Sequence, residues 1–335
     1  MNTVRWIKIF VVICVTVISL LGLIFCNYAN SPIDFTYRGR MTEIPQGSTF
    51  SATVDILEEA GLIGHKRAFC LLAWLKDAPK HVKPGEYDLS SSMTPVAVLD
   101  KLVQGKIKMY FVFIPEGFTL RQIASRLENA GFADREKFIS LASDSILLSV
   151  LGIEGKSAEG YLFPDTYKFD KLIGEEGIIR FMVGQLRKGF TPPMLKKMDE
   201  MHLTLGQVVT LASIIEKEGG PDEEKPLISA VFHNRLKKGM RLQSDPTVIY
   251  GIKDFDGNLK RSDLRKKTPY NTYKIKGLPP GPICSPGMAA IRAALYPASV
   301  NFLYFVSNNN GSHQFSSNLK NHNKAVLKYQ IKRKK

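Results

Sequence analysis

Glu216 and Glu218 stand two residues apart in the stretch Leu211-Ala-Ser-Ile-Ile-Glu-Lys-Glu218. Thr204-Leu-Gly-Gln207 has the pattern of a capping box, and Gly219-Gly-Pro221 is a stop signal, so the spacing predicts a helix from Leu205 to Glu218. At about 100° per residue, Glu218 falls beside Leu211, Ile214 and Ile215. Glu216 lies at the other edge of that apolar arc, near Val209 and Ala212, and Lys217 points outward. A carboxyl group pressed against aliphatic side chains loses hydration, and at a helix C-terminus it also feels the negative pole of the macrodipole. Both effects raise its pKa. A carboxylic acid that stays protonated near neutral pH is what general-acid cleavage of a glycosidic bond requires. The same helix geometry also suits a solvated end decorated with charges, and the helix alone does not separate the two.

Two later stretches concentrate hydroxyls, amides and aromatic rings in turns: Met240-Arg-Leu-Gln-Ser-Asp-Pro-Thr-Val-Ile-Tyr250 and Thr268-Pro-Tyr-Asn-Thr-Tyr273. Aromatic faces cover the C–H surfaces of pyranose rings, while amides and hydroxyls bind sugar hydroxyl and acetamido groups. Gln243, Ser244, Asp245, Thr247, Tyr250, Tyr270, Asn271 and Tyr273 are therefore candidate substrate-binding residues, together with Glu216. Asp245 has two further readings. Standing before Pro246 it suits a helix N-cap with proline at the first helical position, and as a carboxylate it could be the second acid of a hydrolase. Leu278-Pro-Pro-Gly-Pro-Ile283 and Ser285-Pro-Gly287 read as a stiff loop that shapes a groove. No His or Cys cluster has metal-ligand spacing, so neither a metal nor another cofactor is expected. Of the four cysteines, Cys14 and Cys26 fall in or beside an apolar run, which leaves Cys70 and Cys284 as free thiols rather than a disulfide framework.

The elements that must position these residues follow an apolar N-terminus. Ile9 to Phe25 carries no charge, with Trp6 and Tyr28 as interface anchors, so residues 9–28 are expected to form a transmembrane anchor. Arg5 and Lys8 hold residues 1–8 in the cytoplasm and send the rest across the cell (inner) membrane, into the periplasm or its extracytoplasmic equivalent. A cleaved signal peptide is the competing reading, but its core is usually shorter. The chain has 46 Lys and Arg against 31 Asp and Glu, a net charge of +15 that favours an anionic partner. Nucleic acid is excluded as that partner if the chain is exported. Ile44-Pro-Gln-Gly-Ser-Thr49 recurs 70 residues later as Ile114-Pro-Glu-Gly-Phe-Thr119, and Leu57-Glu-Glu-Ala-Gly61 as Leu127-Glu-Asn-Ala-Gly131. Each copy reads as a strand end, a Pro-x-Gly turn, an amphipathic helix and a C-terminal glycine, so residues 29–153 are taken as a duplicated α/β region and 154–335 as a second domain. That domain is expected to hold helices through Ile228–Lys238 and Met288–Tyr296, and a hairpin of Asn301–Val306 with His313–Phe315. A basic helix follows from Asn318, and its Lys332-Arg-Lys-Lys335 tail reads as a solvated terminus. The fold class is α+β behind a transmembrane helix.

Several segments together resemble the endolytic murein transglycosylases of the YceG-like (MltG) family. They are Ala212-Ser-Ile-Ile-Glu-Lys-Glu218, Phe232-His-Asn-Arg-Leu236, Gly239-Met-Arg-Leu-Gln-Ser-Asp-Pro-Thr-Val-Ile-Tyr-Gly251, Tyr270-Asn-Thr-Tyr273, Gly277-Leu-Pro-Pro-Gly281 and Tyr304-Phe-Val306. The resemblance implies an N-terminal span, LysM-like repeat units and a lytic transglycosylase catalytic domain whose essential residue is Glu218. It also implies cleavage between N-acetylmuramic acid and N-acetylglucosamine in peptidoglycan glycan strands, leaving 1,6-anhydro ends, with peptidoglycan synthases as further candidate partners. A membrane-anchored scaffold that binds peptidoglycan without cutting it, and a lysozyme-like muramidase using Glu218 with Asp245, are the alternatives. The sequence departs from the family pattern at Gly219 and Gly220, where relatives often carry a hydroxyl residue.

Overall fold

The computed structural model describes residues 2–35 and 39–331; the expected basic tail at Lys332–Lys335 lies outside the described residues. Helix α1 runs from Asn2 to Asn30. Its 29 residues give a rod of about 43 Å, enough to cross a hydrocarbon core of about 30 Å. Val4–Asn30 has a mean hydropathy of 3.0, and none of its apolar window is buried inside the protein. It is the one helix among the described residues long and apolar enough to cross a membrane, a test that a signal sequence also passes.

The chain divides into two compact units, one comprising residues up to Phe111 with Lys168–Leu172, the other Val112–Tyr167 with the residues from Ile173 onward. In the first, β1 (Gly39–Ile44) pairs antiparallel with β2 (Gly85–Ser90), in a register from Gly39↔Ser90 to Ile44↔Gly85. Tyr87 and Leu89 of β2 alternate inward, as the two-residue period of a strand dictates. They meet α2 (Phe50–Glu59), α3 (Lys66–Leu75) and α4 (Pro95–Gln104) in a core that includes Val54, Leu57, Phe69, Leu72, Val98 and Leu102. The end of α1 joins this core, with Ala29 buried and Phe25 packed against it.

The second unit begins within β3 (Tyr110–Phe113) and contains α5 (Leu120–Asn129), α6 (Arg135–Leu141) and α7 (Ser145–Val150). It continues past β4 (Thr166–Phe169) into α8 (Gly174–Gly189) and α9 (Pro192–Glu200). Its centre is α10, Leu205–Glu218, in which every residue from Val208 to Ile215 is buried. A helix enclosed on all sides belongs to a core rather than to an amphipathic surface. Helices α11 (Lys225–Lys237) and α13 (Met288–Leu295) pack against α10, and the short α12 (Asp245–Tyr250) touches it as well. An antiparallel hairpin of β5 (Tyr304–Ser307) and β6 (His313–Ser316), followed by α14 (Leu319–Val326), completes the unit.

The two copies of the repeat have equivalent local structure. Gly47 and Gly117 turn with φ of +80° and +76°. Thr49 Oγ1 and Thr119 Oγ1 cap the helices α2 and α5 by accepting from the backbone three residues on. Gly61 and Gly131 end those helices with φ of +68° and +70°, a region glycine enters without a Cβ penalty. The first copy lies in the first unit and the second copy in the second, so the expected functional division at 153/154 falls inside the second unit. There the second copy is tied to residues far along the chain: Gly117 N donates to Ser285 O at 2.8 Å, and Ser285 N returns a bond to Phe118 O at 2.8 Å.

Candidate functional site

Helix α10 spans the residues the capping signals predict, with Thr204 and Gln207 exchanging side-chain and backbone bonds at its start. At its other end the two glutamates part company. Glu216 accepts at 3.3 Å from Lys225 Nζ through both oxygens, and at 3.1 Å from Gly287 N, so its charge is met by a buried lysine and a backbone amide. Lys225, only 4% exposed, also meets Asp222 at 2.9 Å. Glu218 has a different setting. It lines a cavity of about 520 Å³ with Arg235, Gln243, Asp245, Tyr273, Tyr304, His313 and His322.

Among the described residues its hydrogen-bonded neighbour is Ser244, whose Oγ donates to Glu218 Oε1 at 2.5 Å. Burial pushes the Glu218 carboxyl from 4.5 up to about 7, and the nearby Asp245 charge adds to the rise; the Ser244 bond and the Arg235 charge oppose them. The result is an acid close to half-protonated at neutral pH. Arg235, 7% exposed, is fixed by its own neighbours rather than by a carboxylate. It donates from Nε to Leu303 O at 2.7 Å and from Nη1 to Leu242 O at 2.8 Å and Gln243 Oε1 at 3.2 Å, and its guanidinium lies 5.1 Å from the centre of the Tyr304 ring. It thus holds the hairpin and the 242–243 turn around the cavity while leaving a positive charge beside Glu218.

Residues 42–328 match the model of the YceG-like family. The chain belongs to that family. It is 34% identical to the endolytic murein transglycosylase of Bacillus subtilis (strain 168), over 85% of this chain and 83% of the relative. It is 32% identical to the endolytic murein transglycosylase of Streptococcus pneumoniae serotype 2 (strain D39 / NCTC 7466), over 89% of this chain but 60% of the relative, so it spans less than two thirds of that protein's length. Among solved structures, the yceG-like protein lmo1499 from Listeria monocytogenes matches 85% of this chain and 98% of its own, with 32% identity and a TM-score of 0.60.

In this YceG-like chain the residues singled out from the sequence separate into two groups. Glu218, Gln243, Asp245 and Tyr273 line the cavity, and Ser244 reaches it through its bond to Glu218. Thr247 and Asn271 are fully buried and serve the frame beneath it. Thr247 Oγ1 donates to Ser244 O at 2.7 Å and lies 2.8 Å from Thr272 Oγ1, while Thr272 Oγ1 accepts from Ser244 N at 2.9 Å. Asn271 Nδ2 is shared among the carbonyls of Lys266, Leu264 and Asp263, at 2.6, 3.2 and 3.3 Å, and Asn271 Oδ1 accepts from Tyr273 N at 2.9 Å. Tyr250 and Tyr270 do not line the cavity. Their rings meet at 4.8 Å, and Tyr250 OH donates to Glu159 Oε2 at 3.1 Å. Glu159 is a second buried carboxyl, raised to about 7 by burial against the opposing bonds from Leu120 N and Tyr250 OH.

The reading of Asp245 as a helix cap is corrected. Asp245 is the first residue of α12 rather than the one before it, and α12 has no side-chain cap. Asp245 Oδ1 accepts instead from Tyr273 OH at 2.7 Å, because an exposed side chain there is drawn to a ring hydroxyl brought in by the 268–273 turn. Arg235, Tyr304, His313, His322 and Glu224 were not singled out as site residues. Arg235 stood in Phe232-His-Asn-Arg-Leu236 and Tyr304 in Tyr304-Phe-Val306, which signalled family and no role. His313 lies in the expected hairpin and His322 in the basic helix after it, and neither spacing signals a site.

Proposed function

We propose that the protein is an endolytic murein lytic transglycosylase that cuts peptidoglycan glycan strands between N-acetylmuramic acid and N-acetylglucosamine, with Glu218 as its single general acid and base. The observation that carries this reading is Glu218 itself: a carboxyl at the end of a buried helix, lining a cavity, bonded by Ser244 and raised to about 7. A group with that pKa has both protonation states populated at neutral pH, which suits a residue that must first give a proton and then take one.

The protonated Glu218 carboxyl gives its proton to the glycosidic oxygen as the bond to the anomeric carbon breaks. The sugar's own 2-acetamido group stabilises the positive charge that develops there. The carboxylate left behind then takes the proton of the 6-hydroxyl, whose oxygen closes on the anomeric carbon to form a 1,6-anhydro muramyl end. No water is consumed, and Glu218 returns to its starting state. Glu216 is bonded to Lys225 and Gly287, where it braces the end of α10.

The muramidase alternative keeps a foothold in Asp245, which lines the same cavity. Mass spectrometry of muropeptides released from purified murein decides between them, since the lyase leaves anhydro ends and the hydrolase leaves reducing ends. Helix α1 is read as a membrane anchor with Arg5 and Lys8 on the cytoplasmic side, and the repeat copies as LysM-like glycan-holding units. A reporter fused after Lys335 is expected to be active outside the cytoplasm, and cytoplasmic activity would reverse the topology.

A further inference from the structure

The cavity that holds Glu218 is also lined by His313, which is paired with Glu224 and for which the scheme above has no use. His313 opens β6, and its side chain is 10% exposed; Glu224, at the start of α11, is 16% exposed. Glu224 fixes the histidine twice, accepting from His313 N at 3.2 Å and bonding the ring Nδ1 at 2.8 Å. A carboxylate accepts, so Glu224 selects the tautomer that carries its proton on Nδ1, the form of the neutral ring whose lone pair is on Nε2. The ring plane is set as well, because Phe305 stands edge-on to it with centroids 5.4 Å apart.

Gly220 ties this pair to the catalytic glutamate's own helix end. It has φ of +91°, and a Cβ there would lie 3.1 Å from both Cε1 and Nδ1 of His313 and 3.3 Å from Glu224 Oε2. The pair therefore packs against the bare backbone two residues beyond Glu218, in space that a larger residue would occupy. A staple joining the hairpin to α11 would need only the Glu224 bonds; it would not need the imidazole to line the same cavity as Glu218.

We infer that His313 is a substrate-binding residue of this cavity, whose Nε2 accepts a hydrogen bond from a sugar hydroxyl of the glycan held against Glu218, with Glu224 fixing its tautomer. This rests on the glycan-cleaving reading above and names a contact within it. A lone pair at Nε2 selects an O–H donor, so the partner is a ring or primary hydroxyl rather than the acetamido carbonyl, which needs a donor. His313 takes no part in the proton transfers assigned to Glu218.

The test uses the full chain in detergent, carrying Glu218→Gln so that binding is read without turnover, and peptide-free glycan strands from purified murein as the probe. His313→Asn keeps an amide N–H near the position of Nδ1, so the Glu224 bond survives while the Nε2 acceptor is lost. Its affinity for the strands is expected to fall about three- to tenfold, the range for one lost hydrogen bond, with the unfolding midpoint little changed. His313→Gln, which reaches the Nε2 position, is expected to recover most of that loss. Undiminished affinity of the His313→Asn protein would reduce the pair to a structural staple. Should that protein fail to fold, nitrogen-15 spectra of histidine-labelled Glu218→Gln protein serve instead. Added strands shift the Nε2 resonance of His313 if the contact exists, and an unmoved resonance overturns it. Persistent anhydro products from the Glu218→Gln parent would sink the catalytic assignment separately, without bearing on the His313 measurement.

Discussion

Glu218 and Glu216 have the same side chain, two residues apart on one helix, yet their surroundings set them to different tasks. Glu216 faces Lys225 Nζ and an amide, which favour its charge, whereas Glu218 faces apolar burial and one serine, which do not. Replacing Glu218 by Gln keeps the shape and removes the transferable proton, so anhydro-end formation should fall by at least about 10²–10⁴-fold with glycan binding retained. Glu216→Gln should cost less, and equal collapse of the two variants would mean the wrong glutamate has been assigned. The pH dependence has a definite sign. The protonated fraction of Glu218 declines as pH rises through about 7, and cleavage that begins with its proton should decline with it. Stability follows the same group: with a folded pKa raised from 4.5 to about 7, ionisation is resisted by the folded state only. The penalty is absent below the unfolded value and grows to an order of 3 kcal/mol above the folded one. Glu218→Gln should therefore unfold at a higher temperature than the parent in mildly alkaline buffer, with the gap closing near about pH 4. A gap that does not change with pH would show that burial does not perturb this carboxyl.

At the scale of elements, the site depends on two short segments that carry little regular structure. The 242–244 segment delivers Ser244 to Glu218, and the 268–273 turn holds it from beneath through Thr272 and Asn271. Asn271→Ala strips a fully buried side chain from the carbonyls of Asp263, Leu264 and Lys266, leaving those acceptors without their shared donor. A loss of at least about 2 kcal/mol is expected, with activity falling as the turn loosens. Denaturant titration beside the cleavage assay checks this, and unchanged stability would remove Asn271 from the frame. Asp245→Asn separates the two chemistries. Asn can still accept from Tyr273 OH, so stability should move by less than about 1 kcal/mol and a one-carboxylate lyase should keep most of its turnover. Near-total loss of cleavage with a reducing-end product in the parent would instead establish Asp245 as the second carboxylate of a hydrolase.

For the whole molecule, the repeat that looks like one region in sequence is shared between two compact units. Its second copy is built into the unit that holds Glu218. Leu120 N donates to Glu159 Oε1 at 2.9 Å, Lys217 Nζ donates to Gly117 O at 3.2 Å, and Ser285 is paired through its backbone with Gly117 and Phe118. A fragment starting at Val112 should therefore fold and keep Glu218-dependent cleavage. One starting at Glu154 should lose both, since it leaves the Ser285 backbone and Lys217 without partners. Proteolytic stability and anhydro-product yield of the two fragments measure this, and a well-folded, active Glu154 fragment would show that the second copy is dispensable.

Local pattern was enough to place α1, α10, the two repeat turns and the β5–β6 hairpin, because hydrophobic runs, capping residues and glycines with positive φ act over a few residues. Turns rich in polar and aromatic side chains pointed to Ser244, Asp245 and Tyr273, which the fold gathers at one cavity, whereas the preference for Glu218 over Glu216 came mainly from the family resemblance. Partnership over long separation was not legible. Glu224 meets His313 across 89 residues, Tyr250 meets Glu159 across 91, and Arg235 reaches Leu303 across 68. Residue type and spacing alone set Tyr250 and Asn271 beside the cavity residues and gave His313 only a place in the hairpin. The fold puts His313 on the cavity lining and Tyr250 and Asn271 off it, because which distant groups close around a polar side chain depends on packing that no local spacing encodes.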